Sequence, residues 1–260
     1  MKKLYIGTNW KMHKTLGEGK RYCEWLAAYA KEIHSQIDLF VIPPYTAIYP
    51  LKETLKDKPV RIGSQNMHWM DEGPYTGEIS PLMLTEAGID LVELGHSERR
   101  QYYNENDADL SKKVKAALDH HLTPLLCIGE SLIEKQLSAG PETVERQLKM
   151  ALAKVEKAQA GEVQIAYEPV WAIGNEGTPA SPEYVEQMHR HIRQVLIRLF
   201  GKDTANIIPV IFGGSVNTEN YLSYLKLKGV DGLFIGRAAW DIETFREILA
   251  GITCWLNKKQ

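Results

Sequence analysis

Val163-Gln164-Ile165-Ala166-Tyr167-Glu168-Pro169-Val170-Trp171-Ala172-Ile173-Gly174 is a short apolar run that ends in a carboxylate, Glu168, placed directly before a proline. Such a run suits a strand buried on both faces. Seven more of its kind surround it: Leu4–Asn9, Leu39–Pro43, Val60–Ser64, Asp90–Gly95, Pro124–Gly129, Ile208–Phe212 and Gly232–Ile235, with Val163–Glu168 the sixth in chain order. Helical patterns alternate with them, among others Leu16–His34, Leu110–His121, Thr143–Ala158, Glu183–Phe200 and Ile242–Asn257. Eight strand-helix units in 260 residues predict the α/β class and a single (β/α)8 barrel over residues 1–260, since such barrels take about 250 residues. On pattern alone, a doubly wound open sheet is the alternative. No linker, like-charge run or low-complexity block interrupts the alternation, and nothing repeats beyond the β/α unit.

Composition narrows the partners. The hydrophobic share is 44%, the charged share 25% and the net charge −2. These are ordinary for a soluble globular chain, with no nucleic-acid or membrane footprint. Cys23, Cys127 and Cys254 lie far apart without a CxxC pair, so buried or partly buried free thiols in a reducing cytoplasm are expected. The start, MKKLYIGTNWKMHKT, enters a strand-like run without an apolar h-region, which predicts neither signal peptide nor membrane span.

Barrel enzymes put their chemistry where strands end, and there this sequence turns polar. After the first strand, Lys11 in Asn9-Trp10-Lys11-Met12-His13 is either a cation in the barrel mouth, fit to stabilise an enolate oxygen, or a solvated loop lysine. After the fourth, His96 in Gly95-His96-Ser97-Glu98-Arg99-Arg100 is either catalytic or structural, and Glu98 either belongs to the site or to an ion-pair cluster. Glu168, in a partly dry mouth, suits a base near neutrality. The segment Pro169–Pro182, with Gly174, Gly177 and Pro179, reads as a hinged lid or as an ordinary surface loop. Gly213-Gly214-Ser215 and Gly236-Arg237 follow the last two strands, where backbone N–H groups of barrels often hold phosphate.

Together NWKM, TGEISP, LGHSERR, LCIGE, AYEPVWAIG and FGGSV, in order across the whole chain, resemble the triosephosphate isomerase family of TIM barrels. The resemblance implies an isomerase of small phosphorylated sugars working through a cis-enediolate, with no metal and no organic cofactor. It implies that Asn9 and Lys11 contact substrate and that neutral His96 polarises the carbonyl. Glu168 moves the proton, Glu98 supports the site from beneath, and Ser97 holds the glutamate when the lid is open. Gly174, Ser215, Gly236 and Arg237 offer N–H groups to the phosphate. The loop Tyr75-Thr76-Gly77-Glu78 resembles the one that reaches a neighbour's site, with Thr76 the contact, so a homodimer is implied. The enediolate must stay dry or it eliminates phosphate, which a closing lid answers.

The departures from the family pattern form a set. The lid reads Asn175-Glu176-Gly177-Thr178-Pro179-Ala180, and Pro179 has no N–H to donate. Phe212 stands where the family usually has the tyrosine that bonds that N–H. Arg237 replaces a second glycine, and is expected to pair with Glu176 or another carboxylate or to reach the phosphate. Trp240, His13 and Met67-His68-Trp69 are further changes. The set looks like a branch acting on tetrulose phosphates, interconverting L-erythrulose 1-phosphate and D-erythrulose 4-phosphate in polyol catabolism. A glycolytic triosephosphate isomerase is the alternative; a Schiff-base aldolase using Lys11 and a non-catalytic barrel are the remote ones.

Overall fold

The computed structural model describes residues 3–174 and 177–259. Eight parallel strands close into a barrel in strict chain order. They are β1 (Leu4–Asn9), β2 (Ile37–Ile42), β3 (Val60–Ser64), β4 (Leu91–Leu94), β5 (Thr123–Ile128), β6 (Gln164–Tyr167), β7 (Val210–Gly214) and β8 (Gly232–Ile235). The seam pairs Tyr5 with Gly232 and Gly7 with Phe234, which excludes the open-sheet alternative. Around the barrel run α1 (Leu16–Tyr29), α2 (Ile48–Thr54), α3 (Pro81–Glu86), α4 (Ser97–Tyr102), α5 (Asp107–Asp119) and α6 (Leu132–Gln136). They are followed by α7 (Gly140–Ala151), α8 (Pro182–Phe200), α9 (Lys202–Ile207), α10 (Tyr221–Leu225) and α11 (Ile242–Asn257). Among the described residues no helix is long and apolar enough to cross a membrane.

The period-2 alternation of the strands divides the core in two. Phe40, Ile42, Leu91, Leu125, Cys127, Ala166, Ile211 and Phe234 fill the barrel interior, and the intervening residues pack under the helices. Gly7 is required there, because a Cβ on it would lie 2.0 Å from the Phe40 ring. Phe40 in turn stacks on Phe234 at 5.8 Å.

Helix boundaries follow caps more than hydrophobic periodicity. The helix expected from Leu110 starts at Asp107, because the Asn106 side chain accepts from the Asp109 N–H. The helix expected from Thr143 starts at Gly140, with Pro141 in its first turn. The first helix ends at Tyr29 and tightens into a 3₁₀ turn over Ala30–Glu32. The short helices α3, α4, α6, α9 and α10 carry too few residues for a periodic signal. Cys23 and Cys127 are buried, but Cys254 on α11 is exposed, so the expectation of a buried or partly buried thiol fails for that one. It sits on the helix face turned away from Ile252 and Leu256, which bury.

Candidate functional site at the barrel mouth

The inward positions of β1, β4 and β5, continued one residue past β6, bring Asn9, Glu93, Cys127 and Glu168 to the C-terminal end of the barrel. Asn9 organises the first strand's end. Its Oδ1 accepts the Lys11 N–H at 2.6 Å and the Gln65 amide at 3.1 Å, and its Nδ2 donates to Glu93 Oε2 at 2.6 Å. Gln65 also donates to the Lys11 carbonyl at 2.7 Å. These bonds hold Lys11 in a left-handed conformation, φ +52°, that a lysine does not adopt cheaply. Its Nζ lies 2.8 Å from Glu98 Oε1.

His96 is the N-cap of α4, and its Nδ1 accepts the Glu98 N–H at 3.2 Å. The proton of the neutral ring therefore sits on Nε2. Burial, the largest cause, lowers the pKa of this ring, and Lys11 acts in the same sense. A neutral histidine at a helix N-terminus is also what the resemblance to the triosephosphate isomerase family implies. The turn beneath is braced by Arg100, which donates to the Gly95 carbonyl at 2.7 Å and to the Cys127 carbonyl at 3.2 Å.

Glu168 is placed by its own N–H, bonded to the Ile128 carbonyl at 2.8 Å, and by two glycines. A Cβ on Gly129 would strike the Glu168 carbonyl oxygen at 2.0 Å, and one on Gly213 would come within 2.8 Å of its Cγ and Oε1. The carboxylate is buried, and Oε2 has no hydrogen-bond partner among the described residues. One ligand atom each of Glu93, His96 and Glu168 falls within 4.8 Å of the others. Such a trio is close enough to grip a cation, but Nδ1 of His96 is already committed to α4, and the arrangement is better suited to moving protons. The bond from Ser97 expected in an open lid is not formed in this conformation. Glu98 lies at the half-exposed rim, where its carboxylate holds Lys11 and its N–H donates to the capping His96 Nδ1. The place beneath the site belongs to Glu93, which is fully buried. Its signal in the sequence is a lone carboxylate inside the apolar run Leu91–Leu94.

Among the described residues of the segment Pro169–Pro182, Val170–Ala172 form a 3₁₀ turn and Ile173 lines the mouth. The segment's first hinge rests on buried Glu130, which accepts from Trp171 Nε1 at 2.8 Å, Tyr184 OH at 2.9 Å and Tyr167 OH at 3.1 Å. Its second hinge is held by Tyr224 OH, which donates to the Ala180 carbonyl at 2.7 Å. Phe212 packs on that tyrosine at 4.5 Å. The anchoring hydroxyl thus comes from α10 instead of from β7. Ser215 Oγ donates to the Ala172 carbonyl at 3.0 Å. Arg237 donates through Nη2 to the Gly174 carbonyl at 2.9 Å. Its bond is to lid backbone; Glu176, the carboxylate considered for it, and Asn175 lie outside the described residues.

Two other departures are linked. Trp240 Nε1 donates to the Asn9 carbonyl at 2.9 Å, and the His13 ring packs on Trp240 at 4.3 Å. His68 stacks on both Trp69 and Tyr75 at 4.1 Å, shaping the loop that leaves Thr76 exposed. A cavity of about 30 Å³ is lined by Asn9, Lys11, His96, Glu168, Gly214 and Gly236, with Ile173, Phe234 and Ile235 as apolar wall. Gly174 and Ser215 stand outside that lining, on the lid and at the lid's contact with β7.

These features define a (β/α)8 barrel with acid–base groups at its C-terminal mouth, the face where barrel enzymes work. Residues 4–252 match the family model described as Triosephosphate isomerase, and the chain belongs to that family. It is 45% identical over 247 residues to the L-erythrulose-1-phosphate isomerase of Rhizobium meliloti (strain 1021), covering 95% of each chain. It is 45% identical over 251 residues to the protein of that name from Brucella abortus biovar 1 (strain 9-941), covering 96% of each. A Mesorhizobium japonicum protein of the same name is 42% identical over 246 residues, covering 94% of this chain and 95% of its own.

Proposed function

We propose that the protein interconverts L-erythrulose 1-phosphate and D-erythrulose 4-phosphate. Glu168 takes the proton from the hydroxymethyl-bearing carbon beside the carbonyl and returns it to the former carbonyl carbon. His96, donating through Nε2, polarises the carbonyl and moves the oxygen-bound proton across the cis-enediolate. Lys11 offsets the charge on the enediolate oxygen. The single observation behind this reading is the unpartnered Glu168 Oε2 beside a neutral imidazole in one small cavity. The relatives' shared name supports the tetrulose over the triose substrate.

Gly236 N–H, with Gly174 and Ser215 as the lid settles, holds the phosphate. Arg237 adds positive charge at its edge. The chain acts as a cytoplasmic homodimer, a reading supported by the exposure of the loop that carries Thr76. The test compares kcat/KM for L-erythrulose 1-phosphate and dihydroxyacetone phosphate. A preference for the tetrulose of 100-fold or more is expected, about 2.7 kcal/mol of differential transition-state binding. The reverse preference makes this a triosephosphate isomerase, and activity on neither overturns the catalytic reading.

A further inference from the structure

Glu93 is a fully buried carboxyl that the reaction above leaves without a task; Glu130, the other one among the described residues, fastens the lid hinge. Glu93 projects from β4 into the barrel, in the layer just below the mouth, and none of its surface reaches solvent. A carboxylate there has no salt-bridge partner among the described residues. The surrounding groups are Lys11 on the β1 loop, His96 and Glu98 at the start of α4, Cys127 on β5 and Glu168 after β6. Lys11, the one cation among them, is engaged by Glu98. Burial and then the Glu168 charge push the Glu93 pKa well up. Two carboxyl groups this close do not both ionise readily.

The hydrogen bonds also say where the proton sits. The Lys11 N–H needs an acceptor and finds Asn9 Oδ1 at 2.6 Å, which turns the Asn9 Nδ2 donor toward Glu93. Oε2 of Glu93 must then be the accepting, carbonyl-type oxygen, at 2.6 Å. That leaves the proton for Oε1, whose hydroxyl oxygen also accepts a weak bond from the Cys127 S–H at 3.7 Å. A continuous path runs from Glu93 through the Asn9 amide to the left-handed Lys11 backbone and so to the direction of its ammonium.

We propose that Glu93 is a positioning residue that works as a neutral carboxylic acid. It locks Asn9 and Lys11 through Oε2 and keeps its proton on Oε1, so that no second negative charge lies beside Glu168. This rests on the isomerase reading of Glu168 and Lys11, and it deepens that reading.

Three variants and a spectrum test it in the full-length protein. Glu93→Gln keeps the shape, the neutrality and an acceptor for Asn9, so kcat/KM stays within about 3-fold, and the acidic limb of its pH profile does not move. Glu93→Leu frees Asn9, and a Lys11 displaced by ~1 Å costs on the order of 100-fold in kcat/KM. Glu93→Asp, a methylene short, falls between. At pH 7 the infrared spectrum of the wild type shows a protonated-carboxyl C=O band that Glu93→Gln lacks. The proposal is overturned if that band is missing. It is overturned equally if Glu93→Gln shifts the acidic limb to lower pH, as removal of a neighbouring charge would, or if folded Glu93→Leu retains wild-type kcat/KM. Should Glu93→Leu not fold, the Gln variant and the band still decide. A wild type inactive on both ketose phosphates would defeat the isomerase reading, while the infrared band would report on Glu93 regardless.

Discussion

At the scale of single residues the site depends on where one carboxylate points. Glu168→Asp keeps the charge and withdraws it by a methylene, so kcat should fall on the order of 100-fold with KM little changed; near-normal turnover would remove Glu168 as the base. Gly213→Ala approaches the same carboxylate from outside. Its new Cβ would sit 2.8 Å from Glu168 Cγ and Oε1, and the glutamate is the side that gives way. We expect kcat to drop about 10- to 100-fold, while thermal unfolding barely shifts. A large loss of Tm with preserved kcat would mean that the strand moved and the base did not. Glu168, His96 and Lys11 were legible as candidates because each stands at a polar break after an apolar run. Glu93 and Gln65 were not, because what they do depends on Asn9 and Lys11, which are brought to them from another strand of the barrel.

At the scale of elements, the lid segment illustrates how a lost contact is replaced. Pro179 and Phe212 cannot form the hydroxyl to N–H bond usual in this family. The second hinge is instead tied from α10, by Tyr224 to the Ala180 carbonyl, and the middle by Arg237 to the Gly174 carbonyl. Arg237 is exposed, so its bond is worth about 1 kcal/mol after solvent screening. Arg237→Gln should therefore raise KM about 5-fold. It should also slow the change in Trp171 fluorescence that follows substrate binding. An unchanged KM would show that the lid settles without this latch. The lid's bounds were readable from its small residues and prolines. Its fastenings were not, because the fastening partners Glu130, Tyr224 and Arg237 come from distant parts of the chain.

For the whole molecule, buried His189 sets a pH limit on stability. It sits on α8 against the Gly229 carbonyl, and burial drives its pKa down to about 4. The folded state holds this ring neutral, while the unfolded chain protonates it near its ordinary value. The resulting stability is complete above pH ~6.5 and is lost as pH falls toward 4, by about 3 kcal/mol in all. His96 and His68 are lowered too and act in the same direction. Urea unfolding of wild type and of His189→Gln between pH 7 and pH 4 checks this. The variant should lose less stability across the window, and parallel losses would remove His189 as the source.

Read alone, the sequence carries the order and number of the strands, the α/β class and the positions where chemistry gathers. Those signals are local: buried parallel strands read as apolar runs, and a polar residue at the end of such a run stands out. The wiring between them comes with the folded chain. Closure of β8 on β1, the ring tautomer of His96 set by the α4 N-terminus, the Glu93–Asn9–Lys11 chain and the anchoring of the lid by α10 and the β8 loop all join groups far apart in sequence. Their energies depend on distances and burial that no window of sequence contains.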